Sequence, residues 1–229
     1  MHGVIAVMPQ ASVAVTSYCE RVGDAFWAEP LNALTNLAFL LAAAFFIRML
    51  QRNRCSGARC WDLWLLVGLM ATVGIGSFLW HTLATPWSEW ADVIPILLFI
   101  SLFLLSFLVR VAGLGPLGVI FGFALYQSFN FGLQAALPAD FLNGSIFYLP
   151  TWASLLAIAL YSRIAARAGA GLLLAAVLVF SFSLTMRTLD AGLCHVWPWG
   201  THFLWHLCNG LTLYLASSAL VPHAVQTQA

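Results

Sequence analysis

His202 and His206 stand four residues apart in the run Thr-His-Phe-Leu-Trp-His. On a helix this spacing puts two imidazoles on one face, which lets a histidine pair hold one metal ion. The alternative is a pair of interfacial histidines bonded to backbone or water. His81 is a third candidate, with Ser77 one helical turn before it and Asp92 eleven residues after it. Three imidazoles with one position left open form the ligand set of a catalytic zinc, whereas structural sites are closed by four ligands. Zinc lowers the pKa of bound water to about 7 and polarises a carbonyl. A carboxylate beside that water, Asp92, can accept its proton and pass it to a leaving amine. A hydroxyl, Ser77, can donate to the developing oxyanion or fix the water. The chemistry implied is hydrolysis. The competing readings are helix packing for Ser77 and an N-cap for Asp92.

The elements that carry these residues must be membrane helices. Of the 229 residues 62% are hydrophobic and only 7% are charged, with a mean hydropathy of +0.92. A soluble domain carries about a quarter charged residues. The net charge of +1 implies neither an acidic nor a basic partner, and a nucleic-acid binder working through a basic surface is excluded. One span needs about 20 apolar residues and seven need about 140, which leaves short loops and a single domain over residues 1–229. Charged and turn residues divide the chain into seven expected helices, near residues 31–47, 63–81, 92–109, 117–137, 147–161, 171–188 and 201–221. The fold expected is an all-α seven-helix transmembrane bundle.

Arg48, Arg52, Arg54, Arg59, Arg110, Arg163 and Arg167 fall on one side of this arrangement, and only Arg21 and Arg187 on the other. The arginine-rich side is expected in the cytoplasm, with the N-terminus outside and the C-terminus inside. Trp80, Trp87, Trp90, Trp197 and Trp199 mark the outer interface. All nine basic residues are arginine, a usage that points to a bacterial source and hence to the inner membrane, with the site near the periplasmic face. The N-terminal stretch has no basic residue before its apolar run, so no signal peptide is expected. His81 ends an outward-running helix, and His202 and His206 begin an inward-running one. All three therefore share one depth near the outer face, where Asp92 opens the next helix. Ionisable groups at membrane depth are costly and usually functional.

At this point four segments resemble the alkaline ceramidases, within the superfamily of seven-helix membrane hydrolases that includes the adiponectin-receptor-like proteins. They are Tyr18-Cys19-Glu20 followed by Ala28-Glu29-Pro30-Leu31-Asn32-Ala33-Leu34-Thr35-Asn36-Leu37; Gly76-Ser77-Phe78-Leu79-Trp80-His81-Thr82-Leu83; Trp90-Ala91-Asp92-Val93-Ile94-Pro95; and His202-Phe203-Leu204-Trp205-His206-Leu207, preceded by Leu189-Asp190 and Cys194. The resemblance implies zinc on His81, His202 and His206 with Ser77 and Asp92 beside it, and hydrolysis of the amide of ceramide to sphingosine and a fatty acid. It also implies an acidic calcium site near the zinc. Glu20 and Glu29 match its carboxylates, Ser17 stands where an aspartate is usual, and Asp24 or Asn32 would have to complete it. Calcium takes six to eight oxygen ligands. The other reading of Glu29 is a helix-terminal carboxylate favoured by the dipole. The resemblance further implies a Cys19–Cys194 disulfide, and an Asp190 that orients a zinc-binding histidine. Asp190 could instead pair with Arg187 three residues away.

Cys55 and Cys60 fall in the expected cytoplasmic loop and read as ordinary reduced thiols; Cys208 reads as a packing thiol. Asn130 and Gln134 read as interhelical hydrogen-bonding residues. The substrate is expected to enter sideways from the bilayer, with no nucleic acid and no obligate protein partner. Two other readings remain open. One keeps the zinc hydrolase and changes the lipid to another amide or ester. The other is a receptor or transporter with a structural metal, although transporters place polar sites at the midplane on broken helices, and no expected span has proline at its centre.

Overall fold

A computed structural model describes residues 18–225. Ser17 lies outside the described residues. The chain runs α1 (Pro30–Thr35), α2 (Leu37–Arg52), a 3-10 turn at Gly57–Arg59, α3 (Trp61–Leu83), α4 (Pro86–Arg110), α5 (Pro116–Ala136), a second 3-10 turn at Ser145–Tyr148, α6 (Leu149–Ile164), α7 (Ala170–Leu193), α8 (His202–Ser218) and α9 (Val221–Val225). The described residues contain no strand. Proline stands in the first turn of α1, α4, α5 and α6, where its missing N–H costs nothing and its φ already suits the helix. Thr85 and Ser88 close a capping box at the start of α4, so the polar α3–α4 corner is satisfied before the apolar run begins.

The fold is all-α. Five stretches are long and apolar enough to cross a membrane: Pro30–Arg52, Trp61–Leu83, Pro86–Arg110, Ser145–Ile164 and Ala170–Leu193. α8 has 17 residues and α5 carries Gln127, Asn130 and Gln134, and neither is among the five. Leu40, Phe45, Ile75, Leu98, Phe121 and Leu178 are exposed on the helix flanks, which in water would be an aggregating surface and in lipid is not. The core is a single apolar cluster built around Phe46, Leu50, Leu63, Leu66, Met70 and Leu173. α3 packs on α4, and α8 packs on α7 and α2. α5 is peripheral and buries only Tyr126.

Three expectations change here. α4 begins at Pro86, so Asp92 sits inside the helix, not at its N-cap, and Pro95 also falls within α4. Gln134 donates to Asn130 within α5 at 2.8 Å, a pairing along one helix rather than between two. Cys55 and Cys60 form a disulfide, both buried. The tight turn between α2 and α3 brings their Cα atoms within 5.8 Å, inside the range a disulfide bridges.

Candidate metal centre

The three histidines converge. The C-terminal end of α3 delivers His81 and the first turn and a half of α8 delivers His202 and His206, each no more than 2% exposed. One ligand nitrogen from each lies within 4.8 Å of the others, and the ring centroids are 4.7 to 5.2 Å apart. Among the described residues this is the one cluster of three or more histidine, cysteine or acidic groups close enough to share an ion.

The surroundings fix which nitrogens face the centre. His81 Nδ1 lies 2.6 Å from Glu29 Oε2. A carboxylate accepts, so Nδ1 carries the proton and Nε2 keeps its lone pair. His206 Nδ1 lies 3.0 Å from Thr35 Oγ1. That hydroxyl already donates to the carbonyl of Leu31 at 2.8 Å, so it accepts from His206, and again the far nitrogen is left free. His81 Nε2, His202 Nδ1 and Asp92 Oδ1 are buried and have no hydrogen-bond partner. Buried polar atoms without partners are rare and call for an explanation. A cation held by neutral imidazoles supplies one, and the donor set fits zinc.

Glu29 is the hub of this network. It precedes Pro30 at the start of α1, accepts from Asn32 Nδ2 at 3.0 Å, and takes Arg21 Nε on its other oxygen. Arg21 Nη2 then donates to the carbonyl of His81 at 2.9 Å. Burial works to raise the Glu29 pKa, but the hydrogen bond and charge of His81, with Asn32 and Arg21, outweigh it and hold the carboxyl below its ordinary value. Tyr18 stacks on His202 with centroids 3.8 Å apart. Asp190, buried at the end of α7, accepts from the backbone N–H of Thr201 at 2.6 Å and of His202 at 2.9 Å, and from that of Cys19 at 3.1 Å. It therefore caps α8 and places His202 through the backbone, and among the described residues it makes no hydrogen bond or ion pair with a histidine ring or with Arg187. Gly200 makes this approach feasible: its φ is +64°, and a Cβ there would lie 2.1 Å from Asp190 Oδ1. The Cys19–Cys194 disulfide closes the same corner.

Ser77 and Asp92 line one cavity with His202 and His206, and the Ser77 hydroxyl lies within hydrogen-bonding influence of the Asp92 carboxylate. The helices meet closely here because Gly76 has no side chain; a Cβ on it would sit 2.0 Å from the carbonyl oxygen of Ala91. The cavity continues away from the histidines between apolar walls that include Ile96, Phe99, Phe103, Phe180 and Leu213. An apolar pocket with a few convergent polar groups at one end is the usual form of a ligand site.

Among the described residues Glu20, Asp24 and Glu29 do not gather into one ligand set. Glu20 is spent capping α1, accepting from the N–H groups of Leu31 and Asn32 at 2.6 and 2.8 Å. Asp24 is exposed on the loop, and Glu29 already faces the Arg21 guanidinium. A guanidinium in contact with the central carboxylate repels a second cation. Arg21, Thr35, Tyr18 and Arg187 were not legible as site residues. Arg21 and Arg187 did carry a signal, as the two arginines outside the basic end of the chain.

No curated protein matches the chain. The sequence model of the family described as Ceramidase matches residues 11–228, nearly the whole length and a range that contains the site above, and the chain belongs to that family.

Proposed function

We propose that the protein is an intramembrane zinc-dependent amide hydrolase that cleaves ceramide-like lipids to a sphingoid base and a fatty acid. The observation that carries this reading is the convergence of three buried histidines, two of them with unpartnered nitrogens, beside Asp92 and Ser77 at the polar end of an apolar cavity. Membership of the ceramidase family supports the substrate class.

His81, His202 and His206 would hold the metal, which supplies Lewis acidity toward a carbonyl and toward water. Glu29 and Thr35 keep the two outward nitrogens protonated, so the inward ones stay available as ligands. Asp92 accepts the proton of the attacking water and delivers it to the departing amine. Ser77 donates a hydrogen bond to the oxygen on which negative charge develops. The apolar walls hold the acyl chain and keep bulk water from the reacting centre. The substrate reaches them sideways from the bilayer.

In this reading α5 and α8 complete a single domain of seven crossings. The histidine end is outside, periplasmic in a bacterium, and the end bearing Arg48, Arg52, Arg54, Arg59, Arg110, Arg163 and Arg167 is cytoplasmic. The test is zinc content and ceramide hydrolysis on one detergent-purified sample. Zinc near one per chain with release of sphingoid base is the expected result. Zinc without release would move the reaction to another amide- or ester-linked lipid. Absence of both would overturn the hydrolase reading.

A further inference from the structure

Arg21 has a carboxylate partner and Arg187 has none: among the described residues no ion pair involves Arg187. Yet its guanidinium is held in a built cradle. Nη1 donates to the carbonyl of Asn143 at 2.8 Å and to Ser145 Oγ at 3.1 Å. Ser145 is fully buried and is itself fixed by Thr188 at 2.9 Å. The guanidinium carbon lies 5.2 Å from the ring centre of Tyr148 and 5.6 Å from that of Trp205, contacts that hold the plane of the group. Among the described residues Nε and Nη2 have no hydrogen-bond partner, and they are not among the sealed atoms lacking partners. Arg187 lines the same cavity as His202, His206, Asp92 and Ser77. Trp205 connects the two groups, since its ring also stacks near that of His202.

The edge left free matters. Nε and Nη2 form one of the two forks by which a guanidinium takes both oxygens of a carboxylate. Asp92 lies across the same cavity and feels the charge of Arg187, but no ion-pair contact joins them among the described residues, so the free edge of the guanidinium is open to an anion that enters the cavity. The walls beyond, Ile96, Phe99, Ile100, Phe103, Phe180 and Leu213, fit a hydrocarbon chain. We propose that Arg187 is a carboxylate-binding subsite of the cavity, holding the head of a long-chain fatty acid whose tail lies along these walls. The proposal rests on the hydrolase reading, in which a neutral amide becomes a carboxylic acid at this end of the cavity. Arg187 then binds the acid product in preference to the amide it came from.

The test compares hexadecanoate with hexadecanamide, two ligands of equal chain length that differ in charge. Each competes with radiolabelled hexadecanoate for the purified full-length protein in non-ionic micelles, once metal-loaded and once after chelator treatment. The acid should bind at least about tenfold more tightly than the amide in both states. Arg187→Gln should weaken the acid about 10- to 100-fold and the amide less than about twofold. Arg187→Lys, which keeps the charge and loses the fork, should fall between them. The proposal is overturned if the unaltered protein shows no preference for the acid, or if Arg187→Gln retains it. It is also overturned if the preference vanishes on metal removal, which would put the carboxylate on the histidine cluster. Failure of Arg187→Gln to fold leaves the unaltered protein and Arg187→Lys to decide. Ceramide hydrolysis without acid preference would sink this subsite alone, whereas acid preference without hydrolysis would sink the reaction and keep the subsite.

Discussion

Each end of the bundle buries an arginine against a carboxylate, and the two pairs are built differently. At the arginine-rich end Arg110 takes both oxygens of Asp62 through Nε and Nη2, and Nη2 also reaches the carbonyl of Arg59. Ser106 and the backbone of Leu63 also hydrogen-bond the carboxylate, none of them leads on to a candidate site residue, and the pair is closed. At the histidine end Glu29 divides its oxygens among Arg21, Asn32 and His81. Around it remain unpartnered atoms, Arg21 Nη1 and His81 Nε2. The disulfides differ in the same sense: Cys55–Cys60 staples a five-residue separation, while Cys19–Cys194 spans 175 and ties the N-terminal segment to the end of α7. A closed pair contributes to stability and ends there. An open one passes orientation on to a neighbour, here to a histidine whose far nitrogen faces the candidate metal position.

The sharpest test of that contrast removes the centre itself. The double variant His202→Ala/His206→Ala should lose stoichiometric zinc and ceramide hydrolysis together, while the Arg110–Asp62 end keeps the chain folded. Zinc near one per chain in that variant, read by elemental analysis, would show that the cluster is not the binding site. Next in size is Asp92→Asn, which should keep zinc and lower turnover about 10²- to 10⁴-fold, the usual contribution of a positioned acid–base group. Near-normal turnover would remove Asp92 from the mechanism.

Breaking each ion pair in turn then separates closed from open. Asp62→Asn should lower stability by about 2–4 kcal/mol, somewhat under the cost for a fully dry pair, because the Arg110 side chain is 16% exposed. Zinc per folded chain should not change. Glu29→Gln should instead weaken zinc binding about 10- to 100-fold, the usual effect of removing a group that orients a metal ligand. It also has a signature in pH. The folded-state Glu29 pKa lies below the ordinary value of 4.5, so its stabilising contribution is complete above that value and fades as pH falls through the lower one. The stability gap between unaltered protein and Glu29→Gln should therefore be widest near neutrality and narrow on acidification. A gap that is constant or widens toward acid would mean that the ionised carboxylate is not what stabilises this end.

The helices were largely readable, because apolar runs broken by arginine, proline and glycine leave few other arrangements. The shared depth of His81, His202 and His206 followed from helix direction alone. What could not be read were the partners across the chain. The loop holding Cys19 to Glu29 has no periodicity, so whether Glu29 would face a metal, a helix end or an arginine depended on where Arg21 folded, and that is set by packing against α3. Asp190 was placed near the site by its position, but its use of backbone N–H groups depends on the bend at Gly200. The start of α4 was misplaced because Pro86 to Ala91 is polar; the capping box at Thr85 and Ser88 extends the helix outward, and Asp92 moves from its end to its interior.

Thr35 is where the open network is thinnest, and so where the comparison can be sharpened most finely. Its hydroxyl is the side-chain acceptor that the structure gives to His206 Nδ1, beside a backbone hydrogen bond with Asn32, and a methyl group in its place keeps the volume while removing that side-chain acceptor. Thr35→Val should leave the His206 ring with the backbone of Asn32 as its remaining partner, at a cost of up to about 1 kcal/mol, and should weaken zinc up to about tenfold. Thr35→Ser, which restores the hydroxyl, should restore the affinity. A competition titration against a chelator of known affinity measures both. If Val and Ser bind zinc equally, the loss lies in the packing of α1 against α8 rather than in the orientation of His206. The open network would then end at Glu29 and His81, with one of the three candidate ligands held by a hydrogen bond to a side chain instead of two.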